Sequence, residues 1–356
     1  MVDQPRSEGG NAIEPELARA TGMFREAAEA PQAVARQEAS VSDIQRIGAA
    51  LRARSPHVVL TCARGSSDHA ATFAKYAIET RLRIPTVSAA PSVASVYSSL
   101  LHADGAVCIA ISQSGRSPDL LAMVASLKAA GAWVLALVND TQSPLCEYAD
   151  EVFGLAAGPE QSVAATKSFI TSLSAIARIV AEWSEDEALK LELHALPGQL
   201  AQAWNCDWSA LPAALVHSTN LYVLGRGVGL GVAQEAALKL KETSQIHAEA
   251  FSTAEVSHGP MALIRDGFPV LMFTQSDETL QSVKAAAATL AERGARVFIA
   301  GEEAKGAVRL PAVPCPALLE PIVQVQSFYR AANALATARG LDPDRPPHLA
   351  KVTETR

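Results

Sequence analysis

The fold is decided by the stretch V-C-I-A-I-S-Q-S-G-R-S (Val107–Ser117). An apolar run ends in a small, hydroxyl-rich turn, and the signals of a helix start follow. Ser117 suits the cap, Pro118 the first helical position and Asp119 the positive end of the helix dipole. Strand, turn and helix in this order build parallel sheets that are covered by helices. The stretch therefore predicts an α/β fold.

A related stretch, P-V-L-M-F-T-Q-S-D-E-T (Pro269–Thr279), follows later in the chain. Ser112 and Thr274 lie 162 positions apart (274 − 112), and Arg64 and Arg226, each beside a glycine after an apolar run, are separated by the same distance (226 − 64). Two anchors at one offset predict two tandem lobes. We expect each lobe to be a mostly parallel, doubly wound, flavodoxin-like sheet flanked by helices.

Short apolar runs predict the strands. They are His57–Cys62, Val107–Ser112, Trp133–Val138 and Glu151–Leu155 in the first lobe, and Asn220–Gly225, Pro269–Thr274, Arg296–Ala300 and Leu310–Pro316 in the second. The predicted organisation is a disordered N-terminus (1–14), a helical segment (15–54), a first lobe (55–200), a second lobe (215–339) and a tail (340–356). The weakly periodic Leu196–Pro212 is interpreted as the connection between the lobes.

The composition excludes several classes of function. The chain has 356 residues, of which 49% are hydrophobic and 19% charged, as expected for a compact protein with two cores. Its net charge of −7 leaves no basic excess for a nucleic-acid partner. Five scattered cysteines predict a reducing compartment. No secretory start or membrane-spanning stretch is recognisable, so we expect a cytoplasmic protein without a membrane partner.

The turn S-Q-S-G-R-S (Ser112–Ser117) predicts an anion site. Backbone N–H groups, hydroxyls and a helix dipole converge there, which favours a phosphate. No lysine follows as in a nucleotide P-loop, which favours a sugar phosphate over ATP. In the second copy Asp277 replaces Gly115 and Glu278 adds charge, so we expect the first lobe to bind the anion. Serines that only cap the helix are the alternative.

Two further motifs bear on the chemistry. G-R-G-V-G-L (Gly225–Leu230) matches a dinucleotide fingerprint only in part, because a leucine replaces the third glycine, and NAD is not favoured. In E-A-A-L-K-L-K-E, Glu235, Lys239 and Glu242 share one face of a helix. That face is either a solvent-exposed stripe of salt bridges or, with His258 of S-H-G-P downstream, a group that moves protons on a small substrate.

Together these segments resemble the sugar isomerase (SIS) family, in particular the isomerase half of glutamine–fructose-6-phosphate aminotransferases and the stand-alone SIS-type deaminases. The resemblance extends from about Gly22 to Thr353 and rests on eight motifs in the family's order. They are E-A-P (Glu29–Pro31), S-Q-S-G, V-A-A-T-K (Val163–Lys167), G-R-G, E-A-A-L-K-L-K-E, I-H-A-E-A (Ile246–Ala250), H-G-P and L-A-K-V-T (Leu349–Thr353).

The resemblance implies roles for the matching positions. Glu242 would move a proton between C1 and C2, Lys239 would support an enediolate, and His258 from a neighbouring subunit would open the sugar ring. Lys351 would form a Schiff base with the sugar carbonyl as the tail closes over the site. The remaining substrate-binding positions would be Ser66, Ser112, Gln113, Ser114, Ser117, Ala165 and Ala350.

The resemblance also bears on one substitution, on cofactors and on the oligomeric state. Ala165 stands where the family has a serine. No metal or organic cofactor is implied, and a site shared between subunits implies a homodimer.

The implied reaction is the deamination of an amino-sugar phosphate. Because no glutaminase domain and no cysteine after Met1 is found in the sequence, we expect glucosamine 6-phosphate and water to give fructose 6-phosphate and ammonia. The alternatives are a galactosamine or fructosyl-amine 6-phosphate as substrate, glutamine-independent formation of glucosamine 6-phosphate, or a non-catalytic phosphosugar sensor. The N-terminal segment offers no helix-turn-helix, which disfavours a sensor that regulates transcription.

Overall fold

Two five-stranded parallel sheets organise the computed structural model, which describes residues 13–351. The first sheet contains β1 (Val59–Cys62), β2 (Thr86–Ser88), β3 (Val107–Ser112), β4 (Trp133–Val138) and β5 (Glu151–Gly154). The second contains β6 (Asn220–Gly225), β7 (His247–Ser252), β8 (Pro269–Phe273), β9 (Arg296–Ala300) and β10 (Val308–Leu310).

The two sheets have the same strand order. It is β2-β1-β3-β4-β5 in the first lobe and β7-β6-β8-β9-β10 in the second. Val107 of β3 pairs with Val59 on one side and with Trp133 on the other. The chain reverses its direction of travel across the sheet between β1 and β3, which is the switch point where such folds bind ligands at the carboxyl ends of the strands. The predicted α/β fold with two tandem doubly wound lobes is confirmed.

Fifteen α-helices surround the sheets within residues 13–351. They are α1 (Ile13–Ala20), α2 (Gly22–Ala28), α3 (Ala30–Arg36), α4 (Val41–Arg54), α5 (Ser66–Leu82), α6 (Ser92–Ser95), α7 (Pro118–Ala129), α8 (Leu145–Tyr148), α9 (Lys167–Trp183), α10 (Glu187–Leu193), α11 (Leu196–Ala203), α12 (Ala210–Leu215), α13 (Gly229–Ser244), α14 (Leu280–Glu292) and α15 (Glu320–Ala338). Because helices cover both faces, a central strand such as β3 is buried at every position and reads as a continuous apolar run.

Helices α5 and α13 pack against each other where the lobes meet. Gly231 of α13 permits this approach, because a Cβ atom there would lie 2.5 Å from the carbonyl oxygen of His69 on α5. One turn further along α13, the Glu235 side chain reaches Ser66 at the start of α5. The close contact of the helices therefore brings polar groups of both lobes together in the interior.

One prediction about local structure is wrong. The strand expected at Leu310–Pro316 ends at Leu310, because Pro311, Pro314 and Pro316 have no N–H with which to continue the ladder. The connection Leu196–Pro212 is largely helical, formed by α11 and the start of α12. Pro197 lies in the first turn of α11, where no backbone N–H is needed.

The ends of the chain are described only in part. Residues 1–12 of the predicted disordered segment and residues 352–356 of the tail lie outside the described residues, whereas Ile13 and Glu14 begin helix α1. Helices α1–α4 pack on α9, α11 and α15, which places them beside the first lobe and the last helix. No helix within residues 13–351 is long and apolar enough to span a membrane.

Candidate active site

A cavity of about 240 Å³ lies where the carboxyl ends of β1 and β3 face α13 and the C-terminal tail. Ten of the eleven predicted site residues line it: Ser66, Ser112, Gln113, Ser114, Ser117, Ala165, Lys239, Glu242, Ala350 and Lys351. The eleventh, His258, is exposed on a short 3₁₀ turn of the second lobe and does not line this cavity. Its role in the site of a neighbouring subunit stays a prediction.

The turn after β3 forms the first wall of the cavity. The Gly115 amide donates to Ser112 Oγ at 2.9 Å, and the Arg116 amide donates to Ser114 Oγ at 3.4 Å. Gly115 has a φ of 62°, and a Cβ atom there would lie 2.1 Å from Ser143 Oγ. Only glycine fits this turn, which leads directly into the N-terminus of α7, a favourable place for an anion.

Ser117 and Asp119 lie at the start of α7, as predicted, and also belong to the surroundings of the cavity. Ser117 stands at the cap position of α7, but its side chain makes no capping hydrogen bond, and it lines the cavity instead. Asp119 is buried and lies 2.6 Å from the guanidinium of Arg64, which also lines the cavity. This ion pair joins the turn after β1 to the first turn of α7 and places a cation beside the turn Ser112–Ser117.

The corresponding turn of the second lobe holds one of the protein's own carboxylates. The amide and hydroxyl of Ser276 donate to Glu320 at 2.5 and 2.9 Å. Asp277, which occupies the position of Gly115, accepts hydrogen bonds from Thr279. Burial raises the pKa of Glu320. The donors of Ser276 are therefore engaged by an internal acid, whereas the first-lobe turn faces the cavity.

Helix α13 forms the second wall. Lys239 Nζ lies 2.5 Å from Glu242 Oε2 and 3.4 Å from Glu235 Oε1. Glu235 and Lys239 are fully buried, so this face is not the solvent-exposed stripe that the spacing also allowed. Burial alone would lower the pKa of Lys239, but the charges of Glu235 and Glu242 outweigh burial and raise that pKa. Lys239 is therefore a fixed ammonium at neutral pH.

Glu235 is an important residue that the predicted set lacked. Its carboxylate accepts hydrogen bonds from Ser66 Oγ at 3.2 Å and from the Tyr329 hydroxyl at 3.1 Å, and it contacts His69 Nδ1 at 3.0 Å. Burial, followed by the charge of Glu235, raises the pKa of Tyr329, which keeps that phenol a hydrogen-bond donor. The sequence did offer one indication of this role, because Glu235 lies four residues before Lys239 and therefore on the same face of the helix.

The tail and the segment before α9 form the third wall. Lys351 Nζ donates to Glu160 Oε2 at 3.2 Å and to the Ser162 carbonyl at 2.7 Å. Glu160 is buried and also accepts from the Ser168 hydroxyl at 2.5 Å and the Thr166 amide at 3.0 Å. Burial by itself would raise the pKa of Glu160, but Lys351 and these hydrogen bonds lower it overall. Glu160 is a second residue that the prediction missed.

The motif V-A-A-T-K divides into a cavity part and a structural part. Ala165 lines the cavity, and so does Ser168 on the first turn of α9. Lys167 points away from solvent and pairs with Glu29 of the motif E-A-P at 2.5 Å. The ion pair thus connects two motifs that are distant in sequence. It also anchors the N-terminal helices to the wall of the cavity.

The three walls combine complementary chemistry. The first offers hydroxyl and amide donors suited to a phosphate, and the second a carboxylate beside a fixed ammonium. The third offers a second amine. A carboxylate within reach of a bound substrate can accept and return a proton, and the nearby cation stabilises negative charge that develops on oxygen.

Comparisons with known proteins agree with this architecture. A family model described as SIS domain matches residues 54–181 and 214–309. Glutamine–fructose-6-phosphate aminotransferase [isomerizing] of Gluconobacter oxydans (strain 621H) is 34% identical over 322 residues, which cover 84% of this chain and 52% of that protein. The chain thus spans about half the length of the curated relatives it matches.

Solved structures are similar over almost the whole chain. A protein from Silicibacter pomeroyi DSS-3, described as a phosphosugar isomerase, is 44% identical with a TM-score of 0.88 and covers 91% of this chain and 100% of its own. Glucosamine-6-phosphate deaminase from Thermotoga maritima covers 94% of this chain and 100% of its own with a TM-score of 0.71. Its identity of 22% indicates a shared fold alone.

Proposed function

Because the chain belongs to the SIS domain family, we propose that it acts as an isomerising deaminase, which converts glucosamine 6-phosphate and water to fructose 6-phosphate and ammonia. The observation that carries this proposal is the joining of three groups in one cavity. The cradle Ser112–Ser117, the Lys239–Glu242 pair and Lys351 all face the same space. Phosphate binding at one end of a hexose leaves C1 and C2 at the other end for the ionisable groups.

Glu242 is the proposed base. In the open-chain substrate, C1 is an aldehyde and C2 carries the amine and one hydrogen. Glu242 removes the C2 proton, and the electron pair moves to the carbonyl oxygen, which Lys239 stabilises as it gains charge. Return of the proton to C1, with transfer of a proton from the nitrogen to the C1 oxygen, gives a ketose imine. A single carboxylate serves both carbons because they lie on one face of the planar intermediate.

Hydrolysis of the imine completes the proposed reaction. Water adds to C2, the C–N bond breaks, and ammonia leaves as the C2 carbonyl of fructose 6-phosphate forms. In the proposed reaction the Lys351 amine exchanges with the imine nitrogen, which releases ammonia, and water then frees the sugar and restores the lysine. In the structure this amine is held by Glu160 and the Ser162 carbonyl, so it must be released and deprotonated before it reacts.

The chemistry of the chain's own residues supports deamination in particular. Removal of the amine requires only the groups in the cavity and water. The curated relatives are named as fructose-6-phosphate aminotransferases, and fructose 6-phosphate is the sugar product of the proposed reaction. Ala165, which stands where the family has a serine, lines the cavity wall. Experiment must therefore decide whether the protein prefers sugars of the glucose or of the galactose series.

Ammonia release from two substrates tests the proposal. Purified protein is incubated with glucosamine 6-phosphate and, separately, with galactosamine 6-phosphate. Release from the first supports the proposal, and release from the second alone would assign the same mechanism to another sugar. No release from either, together with tight binding of fructose 6-phosphate, would overturn the proposal in favour of a sensor.

A further inference from the structure

We propose that Asp344 is the positioning residue that holds the C-terminal tail, and with it Lys351, at the sugar cavity. The inference rests on the proposed function, which gives Lys351 contact with the substrate carbonyl. Asp344 lies seven positions before Lys351 and does not line the cavity itself. It would act on the reaction only through the placement of the tail.

The carboxylate of Asp344 is bound on both oxygens. Oδ2 accepts from the Gly22 amide at 2.6 Å, and Oδ1 accepts from the Met23 amide at 2.7 Å. Oδ1 also accepts from Ser162 Oγ at 3.2 Å, and the Val163 amide donates to the Asp344 carbonyl at 3.2 Å. One residue of the tail is thus fastened to helix α2 and to the segment Glu160–Val163.

The same short segment also fastens the far end of the tail. The Ser162 hydroxyl donates to Asp344, and the Ser162 carbonyl accepts from the Lys351 ammonium. The neighbouring Glu160 also accepts from the Lys351 ammonium. The tail between these two points is short and carries Leu349 and Ala350 along the cavity. Because both ends are tied to one wall, the position of Asp344 sets where Lys351 can reach.

Helix α2 braces the junction from the other side. The Glu26 carboxylate accepts from the Gln161 amide at 2.5 Å and from the Ser162 amide at 3.2 Å. Gly22 leaves no room for a side chain, because a Cβ atom would lie 2.8 Å from Ser162 Oγ and 3.1 Å from Asp344 Oδ2. The N-terminal helix, the cavity wall and the tail therefore meet at closely fitted polar contacts.

The charge and shape of an aspartate suit this junction. Three donors converge on two oxygens, and each oxygen of a carboxylate can accept them. An asparagine retains one acceptor oxygen and loses at least one of the amide contacts. Buried Pro343 and Pro346 on either side restrict the backbone. We therefore expect the tail to be held most firmly in the wild type, less firmly in Asp344→Asn and least firmly in Asp344→Ala.

The first test measures how accessible Lys351 in the tail is to a reagent, and it does not depend on catalysis. Wild type, Asp344→Asn and Asp344→Ala are treated with a limiting amine-acetylating reagent, and peptide mass spectrometry follows the modification of Lys351. We expect Lys351 to be acetylated about tenfold faster in Asp344→Ala, because the tail opens more often. Exposed Lys305 is the internal reference and should react equally in all three proteins. Equal rates at Lys351 in proteins of equal melting temperature would overturn the proposal.

The second test distinguishes misplacement of the tail from general damage to the fold. We expect inorganic phosphate to bind at the cradle Ser112–Ser117, which Asp344 does not touch, so its affinity should stay within about twofold. The turnover number for glucosamine 6-phosphate should fall at least about tenfold in Asp344→Ala, with Asp344→Asn intermediate. Equal turnover would contradict the inference. Should wild type itself release no ammonia, the proposed function fails, and the acetylation rates still decide the role of Asp344 in the tail.

Discussion

Lys239 Nζ lies 2.5 Å from Glu242 Oε2 on the adjoining turn of α13. The lysine is buried, whereas Glu242 is partly open to the cavity. Glu235 holds the lysine from the other side at 3.4 Å. A fixed ammonium therefore orients one carboxylate toward the substrate space, and this geometry gives Glu242 its proposed role.

Replacement of Glu242 by Gln should abolish turnover and spare the fold. An amide cannot carry the C2 proton, so we expect the turnover number to fall at least about 10²-fold. Lys239 retains Glu235 as a charged partner, and the cradle is untouched, so fructose 6-phosphate should still bind. The measurement is steady-state ammonia release alongside calorimetric binding of fructose 6-phosphate.

The matched control for this variant is Glu303→Gln, which removes the same charge at an exposed position. It should behave as wild type in both assays. Full turnover in Glu242→Gln would exclude Glu242 as the base. Loss of binding together with loss of turnover would give this residue a binding role instead.

Glu235 should matter more for stability than any surface acid. Its side chain is 0% exposed and holds Lys239, Ser66, His69 and Tyr329. Glu235→Gln leaves Lys239 with one charged partner and should lower the free energy of unfolding by about 3 kcal/mol. The measurement is urea denaturation.

The exposed pair Glu292–Lys305 provides the comparison for that experiment. Glu292→Gln should change the free energy of unfolding by less than about 0.5 kcal/mol. If the two variants lose equal stability, the buried contacts of Glu235 contribute no more to the stability of the fold than an exposed ion pair does.

Glu160 should make stability depend on acid pH. Its pKa in the folded protein lies below the ordinary value of 4.5. The stability that it contributes is therefore fully present above pH 4.5 and is lost as the pH falls below that value through the lowered pKa. At neutral pH Glu160→Gln should lower the free energy of unfolding by about 2 kcal/mol.

Urea unfolding of both proteins from neutral pH down to about pH 3 checks this expectation. The difference between wild type and Glu160→Gln should shrink as the solution becomes more acidic. A difference that stays constant over this range would mean that the charge of Glu160 contributes nothing and that only its packing matters.

Gly115 should be indispensable to the cradle. Alanine would need a φ of 62° and would place Cβ 2.1 Å from Ser143 Oγ. We expect Gly115→Ala to weaken phosphate binding at least about tenfold, because the left-handed conformation alone costs about 1–2 kcal/mol. Isothermal titration with inorganic phosphate measures the loss.

Gly198→Ala is the opposite case. Gly198 lies in helix α11, and no atom lies within 4 Å of the position that a Cβ would occupy there. Alanine should therefore raise helix stability by about 1 kcal/mol and leave phosphate affinity unchanged. Unimpaired phosphate binding in Gly115→Ala would contradict the assignment of the cradle.

Much of the fold could be predicted because its signals are local. The apolar run of β3, the hydroxyl-rich turn after it and the Pro118 helix start lie within one short stretch, and the offset of 162 positions repeated the pattern. Strand β2 has only three residues and β7 is half polar. Both are edge strands, which bury less of their surface and so lack a continuous apolar run.

The residues that line the cavity could be predicted where a motif contains them, and contacts between distant residues could not. Ser112–Ser117, Lys239 and Glu242 follow from their motifs. Glu160 gains its role from Lys351, 191 positions away, and such a pairing is not visible in the sequence. Glu235 lay in a recognised motif, but its burial depends on the packing of α13 against α5.

The stoichiometry of the products tests the proposed reaction most directly. Purified protein is given glucosamine 6-phosphate, and ammonia and fructose 6-phosphate are measured in the same samples over time. We expect both to appear in equal amounts and to be absent with Glu242→Gln. Ammonia without the ketose phosphate, or neither product from a folded protein that binds the sugar phosphate, would contradict an isomerising deaminase.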